Sequence, residues 1–209
     1  MSLFITFEGG EGSGKSTQAR LLYRKLNQMS VPAILIHEPG STPVGEKLAR
    51  ILKHGKDTGI SALTELFLFN AARAQLVNEI IRPALKKGKV VICDRYTDST
   101  IAYQGYGRGV DSQIIRQTNE QATEGLKPDL TIFVDVPVKT GLARKTQEAD
   151  RFERESITFH NKVRNGYLAL IEQEPKRFLV VDGNKTKKQI AAEILGIVSS
   201  KIGKNSLRW

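Results

Sequence analysis

Lys15 has the setting that most narrows what this chain can do. It lies in Phe4-Ile5-Thr6-Phe7-Glu8-Gly9-Gly10-Glu11-Gly12-Ser13-Gly14-Lys15-Ser16-Thr17, an apolar run, then a glycine-rich turn, then the start of a helical pattern. Gly9, Gly14, Lys15 and Ser16 fit G-x-x-x-x-G-K-[ST] in the strand-to-helix context that template requires. A polyphosphate needs several donors converging on one small volume. Glycines let successive backbone N–H groups turn inward with no side chain in the way. The helix that follows points the positive end of its dipole at the same spot. Lys15 can then reach the β- and γ-phosphates as a point charge, while the Ser16 hydroxyl takes a place on Mg²⁺. Residues Gly9, Gly10, Glu11, Gly12, Ser13, Gly14, Lys15, Ser16 and Thr17 are thus expected to bind a nucleoside triphosphate. The plainer reading, a turn with a solvent-facing lysine, leaves the agreement of both flanks unexplained.

Three further groups of residues could act with that loop. Asp94 ends the apolar run Val90-Val91-Ile92-Cys93, the pattern that holds or orients Mg²⁺ in phosphate-loop enzymes. Asp135 and Asp182 also follow apolar runs and read as helix caps or turn formers. Phe69 and Arg73 are four apart in a helical pattern from about Ser61 to Ile81, so they share a face about 6 Å apart along the axis. A ring and a guanidinium so placed suit the base and phosphate of one nucleotide. Leu76 and Ile80 continue the same line, which leaves a second buried face or a subunit contact equally open. The main apolar stripe is expected to be Leu63, Phe67, Asn70, Ala74, Val77 and Ile81. Between Asp135 and Tyr167 comes the most charged stretch, with Lys139, Arg144, Lys145, Glu148, Asp150, Arg151, Glu153, Arg154 and Glu155. It is far longer than a connection needs, which suggests a lid whose arginines swing over the phosphates. A solvated helix laced with salt bridges is the alternative.

These groups need a scaffold, and the sequence supplies one. Five apolar runs alternate with helical patterns: Leu3 to Phe7, Ala33 to Ile36, Val90 to Cys93, Leu130 to Val134 and Phe178 to Val181. Continuous apolar strands separated by helices indicate a parallel sheet covered on both faces. The expected fold is a doubly wound, five-stranded α/β domain of the P-loop NTPase type over residues 1–209, with a lid segment at about 138–156. Ligands should gather at the carboxyl ends of the strands, where the residues above lie.

Composition removes other classes. No apolar run approaches the length that crosses a bilayer, and Met1-Ser2-Leu3-Phe4 lacks the basic region of a signal peptide, so a cytoplasmic protein is expected. Cys93 is the lone cysteine and cannot build a disulfide framework or thiolate site. His37, His54 and His160 are too scattered to suggest a metal cluster. The net charge of +10 invites a nucleic-acid reading. Half of that excess, however, lies in the last helix and tail, where Lys185, Lys187, Lys188, Lys201, Lys204 and Arg208 outnumber Glu193.

Four stretches together resemble bacterial thymidylate kinases: Glu8 to Thr17, Glu38-Pro39-Gly40-Ser41-Thr42-Pro43, Leu66 to Gln75, and Asp94 to Gly105. Asp150-Arg151-Phe152-Glu153 is similar to that family's lid motif. The resemblance implies transfer of the ATP γ-phosphoryl group to thymidine monophosphate (dTMP), with Mg²⁺ on Ser16 and Asp94, by a homodimer. It assigns Phe69 to the base, Arg73 and Arg95 to the acceptor phosphate, Glu11 to the region of the acceptor sugar, Tyr103 to crowding its 2′ position, and Gln104 and Ser99 to base and nearby polar contacts. Some members carry an arginine inside the phosphate loop. Gly12 takes that place here, which matches the subtype whose catalytic arginines come from the lid, so Arg151 and Arg144 are the candidates beside Lys15 and Arg95. Ser41 and Ala72 stand where the family often has glycine and aspartate.

Kinases for uridylate, cytidylate or adenylate are the nearest rivals. A regulatory GTPase would want Asn-Lys-x-Asp, but Asn184-Lys185 is followed by Lys187 at the fourth place. A nucleic-acid-binding ATPase rests on the charge alone.

Overall fold

The computed structural model describes residues 2–54, 59–144 and 150–206. Lys145 and Glu148 of the expected lid, and Arg208 and Trp209 of the tail, lie outside the described residues. Strands β1 (Leu3–Glu8), β2 (Ala33–His37), β3 (Val90–Asp94), β4 (Leu130–Asp135) and β5 (Phe178–Asp182) form one parallel sheet in the order β2-β3-β1-β4-β5. Each strand runs one residue past its apolar run and ends on Glu8, His37, Asp94, Asp135 or Asp182. The polar ends therefore line up along one edge of the sheet, above the switch in strand order where ligands bind.

Side chains alternate across the central strand. Leu3, Ile5 and Phe7 pack with Leu22 and Leu26 of α1 (Lys15–Gln28) and with Ile190, Ile194 and Val198 of the last helix. Phe4 turns to the other face, into a cluster with Val91, Cys93, Leu76, Val77 and Ile81. Glu8 shares the parity of Phe4, so its carboxylate is carried into the protein rather than into water. Helices α2 (Pro43–His54) and α3 (Ala62–Leu76) follow β2, and Ser61 caps α3 by accepting from the Thr64 N–H. A π-helical turn, Val77–Ile81, joins α3 to α4 (Arg82–Lys86). After β3 come α5 (Thr97–Thr100), a second π-helical segment Ile101–Gly107, and α6 (Ser112–Thr123). Helix α7 (Val138–Ala143) follows β4, α8 (Ile157–Gln173) precedes β5, and α9 (Lys187–Ser206) ends the described chain. No described helix is long and apolar enough to cross a membrane.

The stripe expected on α3 is out of phase in its first half. Leu63 and Phe67 are 43% and 50% exposed, whereas Glu65, Leu66, Ala72 and Arg73 are buried. Apolar periodicity assigns charged residues to solvent, and here two of them face inward because each meets an opposite charge. Leu76 is buried in the core and Ile80, partly buried, packs against the same cluster, so they form the second buried face.

Candidate active site

The carboxyl edge of the sheet opens into a cavity of about 700 Å³, within the range of ligand sites. Glu11, Gly12, Gly14, Lys15, Ser16 and Thr17 line one end. Gly9, Gly12 and Gly14 hold φ values of +147°, +65° and +97°, which side chains rarely tolerate. Gly14 caps α1 with no side-chain hydrogen bond, so the first-turn amides are left for a ligand. A Cβ on Gly12 would collide with the Gly141 carbonyl oxygen, and one on Gly141 with the Glu11 carbonyl oxygen. Helix α7 thus lies backbone to backbone on the loop. Position 12 has no room for the arginine that other phosphate loops carry.

Lys15 Nζ donates to the Gly10 carbonyl at 3.1 Å and lies 4.0 Å from Glu11 Oε2. Burial lowers its proton affinity, and the charge of Arg95 lowers it further. Two cations held near each other in this way form a site that an anion would relieve. Arg95 has φ +72°, an uncommon conformation for a non-glycine residue and one that clusters at functional sites. Its guanidinium donates to Glu11 at 2.5 Å, Tyr103 Oη at 3.0 Å, Ser99 Oγ at 3.1 Å, the Gly9 carbonyl at 3.2 Å and Tyr167 Oη at 3.3 Å. The Tyr103 ring lies beneath it, 4.8 Å from Cζ, and the Tyr103 hydroxyl donates to Glu11 at 2.7 Å. Ser99 lines the cavity, but its hydroxyl donates to Glu8 at 2.6 Å. It backs Arg95 from the cavity wall.

Glu8 is the buried anchor of this group. Its carboxylate accepts from the Tyr96 N–H, the Ser99 hydroxyl and the Tyr167 hydroxyl. Burial, aided by the charge of Asp98, pushes its pKa up to about 7 against the opposing pull of Arg95.

Phe69, Tyr103, Gln104 and Phe152 line the other end of the cavity. Phe69 and Phe152 have ring centroids 5.7 Å apart, too close to admit a base between them, so a base can stack on one of them only. Arg73 is 1% exposed, and all of its N–H groups are engaged, by Glu38, Asn70, Asn119, the Tyr96 carbonyl and Thr100. Arg73 nevertheless lines the cavity, at the end where Phe69 lies, with its charge matched by Glu38 at 2.7 Å.

The lid arginines also part company. Arg144 lines the cavity and donates to the Gly183 carbonyl at 3.1 Å. Arg151, expected over the phosphates, is not among the lining residues. Its Nη2 lies 2.6 Å from Glu65 Oε2 and its Nε donates to the Leu52 carbonyl at 2.9 Å. A fully buried carboxylate attracts the nearest guanidinium more strongly than the open end of a cavity does. Asp135, read as a cap, forms a bidentate pair with Arg164, whereas Asp182 does hold a turn by accepting from the Asn184 N–H.

Asp94 and Ser16 line the cavity, and Asp94 Oδ1 is buried with no hydrogen-bond partner among the described residues. An orphaned carboxylate oxygen beside a hydroxyl and a phosphate loop fits a hard cation that takes its other ligands from phosphates and water. The departures from the family pattern are absorbed locally. Ser41, at φ +64°, accepts from the His37 N–H, and its own N–H donates to Glu46, while Ala72 is buried. Sequence reasoning places Glu38 among the candidates after the strands and Phe152 in the lid motif without giving either a task. It misses Glu65 and Tyr167, and Glu8 as an anchor, and only the place of Glu8 at a strand end could have pointed to it.

A parallel sheet whose central strand runs through a glycine turn into a bare helix N-terminus is the P-loop NTPase fold. The family model described as "Thymidylate kinase" matches residues 7–194. Over 204 residues the chain is 52% identical to the thymidylate kinase of Dehalococcoides mccartyi strain CBDB1, covering 97% of this chain and 98% of that one. It is 46% identical over 210 residues to the thymidylate kinase of Geotalea uraniireducens, covering 97% and 99%. A crystal structure of thymidylate kinase from Ehrlichia chaffeensis matches with TM-score 0.77 at 34% identity, over 94% of this chain and 98% of that one. The chain belongs to the thymidylate kinase family.

Proposed function

We propose that this chain transfers the γ-phosphoryl group of ATP to dTMP, giving the diphosphate on the route to the DNA precursor, with the two nucleotides held at opposite ends of one cavity. The observation that carries the reading is a phosphate loop at one end of that cavity, Phe69 and Gln104 at the other, and Arg95 beside the loop. The amides from Gly12 to Thr17 and Lys15 hold the ATP phosphates. Arg95 takes the acceptor phosphate, exchanging its contact with Glu11 for a stronger pair. Phe69 stacks on thymine, and Tyr103, with Glu11, occupies the space a 2′-hydroxyl would need. Ser16 and Asp94 would hold Mg²⁺, which supplies charge neutralisation on the transferred group. The attacking oxygen is already an anionic phosphate oxygen, so the chain needs no general base. What it must provide is cancelled repulsion, in-line placement and exclusion of water. Lys15, Arg95 and Arg144 serve the first task, and the segment at about 138–156, as a lid, serves the other two.

The homodimer implied by the family draws support from an apolar surface on two packed helices, Val44 and Ile51 of α2 with Leu63 and Phe67 of α3. The cytoplasm suits a chain that works on ATP and keeps its one cysteine buried and free. The test of function is a coupled assay with ATP, Mg²⁺ and a panel of nucleoside monophosphates. The highest kcat/KM is expected with dTMP, and a clear preference for another acceptor would overturn the reading. For the dimer, sedimentation of the parent should give twice the chain mass and Phe67→Glu should give the single mass. A monomeric parent at micromolar concentration would end that proposal.

A further inference from the structure

Glu65 lies on the unexpected inner face of α3, fully buried at the acceptor end of the site. Its Oε1 accepts from Gln104 Nε2 at 2.7 Å and from Arg108 Nε at 3.3 Å, and its Oε2 lies 2.6 Å from Arg151 Nη2. Arg151 is tied in turn to the end of α2 through the carbonyls of Leu52 and Lys53. The carboxylate is therefore gripped from two sides and cannot turn away.

A glutamine amide is symmetric in shape but not in chemistry. Rotating it by half a turn exchanges an acceptor for a donor pair, so a lone glutamine can read either kind of base edge. Glu65 removes that freedom, because an ionised carboxylate offers only acceptors. The Gln104 NH₂ group must face Glu65, and Oε1 is the end left to the cavity that Gln104 lines. Thymine presents an N3–H donor on its pairing edge, whereas cytosine presents a bare N3 acceptor and an amino group. An outward Oε1 placed opposite N3 bonds the thymine N3–H, whereas in cytosine the same point faces the bare N3 lone pair, which an acceptor oxygen repels.

We propose that Glu65 sets the pyrimidine specificity of this enzyme by locking the Gln104 amide with its carbonyl oxygen toward the base, so that a base carrying N3–H is accepted and a cytosine-type base is refused. This makes Glu65 a positioning residue, with Arg108 and Arg151 holding it. It also gives Arg151 a task at the base end of the site. The inference rests on the reading of this cavity as a nucleoside monophosphate site.

The test compares dTMP with 5-methyldeoxycytidine monophosphate, which has the same size and the same methyl group but the opposite N3 chemistry. In Glu65→Gln the new amide can donate to Gln104 Oε1, so both orientations become available. The ratio of kcat/KM for the two acceptors should fall about 10–100-fold from its parent value, the effect of one misdirected charged hydrogen bond, with KM for ATP unchanged. Should Glu65→Gln fail to fold beside two guanidinium groups, Glu65→Gln/Arg151→Gln keeps the net charge and carries the same expectation. A parallel loss with both acceptors, or a ratio within about twofold of the parent in a folded variant, would overturn the proposal. A parent inactive with every monophosphate would overturn it as well, but by removing the acceptor site on which it rests.

Discussion

The two ends of the cavity are made from different material. The triphosphate end is mostly backbone: glycines at positive φ, an uncapped helix start and one lysine, all within residues 9–17. At the acceptor end, arginines meet carboxylates drawn from distant parts of the chain. Arg95 meets Glu11 across 84 residues, Arg73 meets Glu38 across 35, and Arg108 meets Glu65 across 43. Backbone amides grip any polyphosphate, so that end need not know its nucleoside. Telling one base from another takes side chains fixed in one orientation, and buried ion pairs fix them. The difference has an energetic side. Lys15 is a buried cation waiting for a ligand, while Arg73 is a buried cation already satisfied.

That contrast orders the outcomes of substitution. Lys15→Ala should lower turnover with dTMP by about 10³-fold or more, since it removes a charge that acts on the transferred group. Its thermal midpoint should hardly change, because the side chain contributes one hydrogen bond and one long ion pair, both within its own loop. A coupled assay beside a melting curve reads both. Equal turnover would remove Lys15 from the mechanism, and a large drop in melting temperature would break the contrast. Arg73→Ala should do the reverse. It leaves Glu38 buried without its counter-charge, so stability should fall by about 3–5 kcal/mol. Denaturant unfolding measures this, and a double-mutant cycle with Glu38→Ala should show that the second substitution recovers part of the loss. An unchanged midpoint for Arg73→Ala would mean that the pair does not anchor this end.

The same contrast explains what can be read without coordinates. The loop is legible because a phosphate cradle is local: Gly9, Gly12, Gly14, Lys15 and Ser16 fall in one window, and their spacing is the mechanism. The sheet is legible because a strand buried on both faces leaves a continuous apolar run, such as Val90 to Cys93. The acceptor end is legible only as far as a family pattern carries it. Phe69, Arg73, Tyr103 and Gln104 do line one cavity with Arg95, but apolar periodicity turns Leu63 and Phe67 inward and gives Glu65 no place. A sequence does not state which carboxylate an arginine will meet, so a lid motif sends Arg151 to the phosphates while Glu65 holds it elsewhere. Helix α7 escapes notice as a wall of the phosphate loop for a related reason. Its contact is between the backbones at Gly12 and Gly141, and nothing in either side chain announces it.

That wall yields a smaller effect that sharpens the comparison. Gly12→Ala adds a methyl group at φ +65° against the Gly141 carbonyl. Stability should fall by about 1–3 kcal/mol through strain and overpacking. Gly10→Ala, where an added Cβ meets nothing within 4 Å, should stay within about 0.5 kcal/mol of the parent. Equal stability of the two variants would mean that α7 yields freely to the loop.

The smallest effect concerns the anchor between the two ends. Glu8 has a folded-state pKa of about 7, raised from 4.5 by burial first and by the charge of Asp98 second. The native state therefore holds a proton on Glu8 through a range in which the unfolded chain has released it. The stability this contributes is full below pH 4.5, declines as pH rises, and is gone above about pH 7. His160 works in the opposite sense, because burial lowers its pKa and folding favours its neutral form, so it adds stability as pH rises through the same range. The two slopes partly cancel in the parent, and only a difference separates them. Glu8→Gln cannot titrate, so its unfolding free energy loses the Glu8 contribution and should rise more steeply, or fall less, with pH between about 5 and 7 than that of the parent. Urea unfolding at half-unit pH steps gives both curves. Parallel curves would mean that Glu8 stays ionised behind Arg95, and that Ser99, Tyr167 and the Tyr96 N–H stabilise its charge more than burial opposes it.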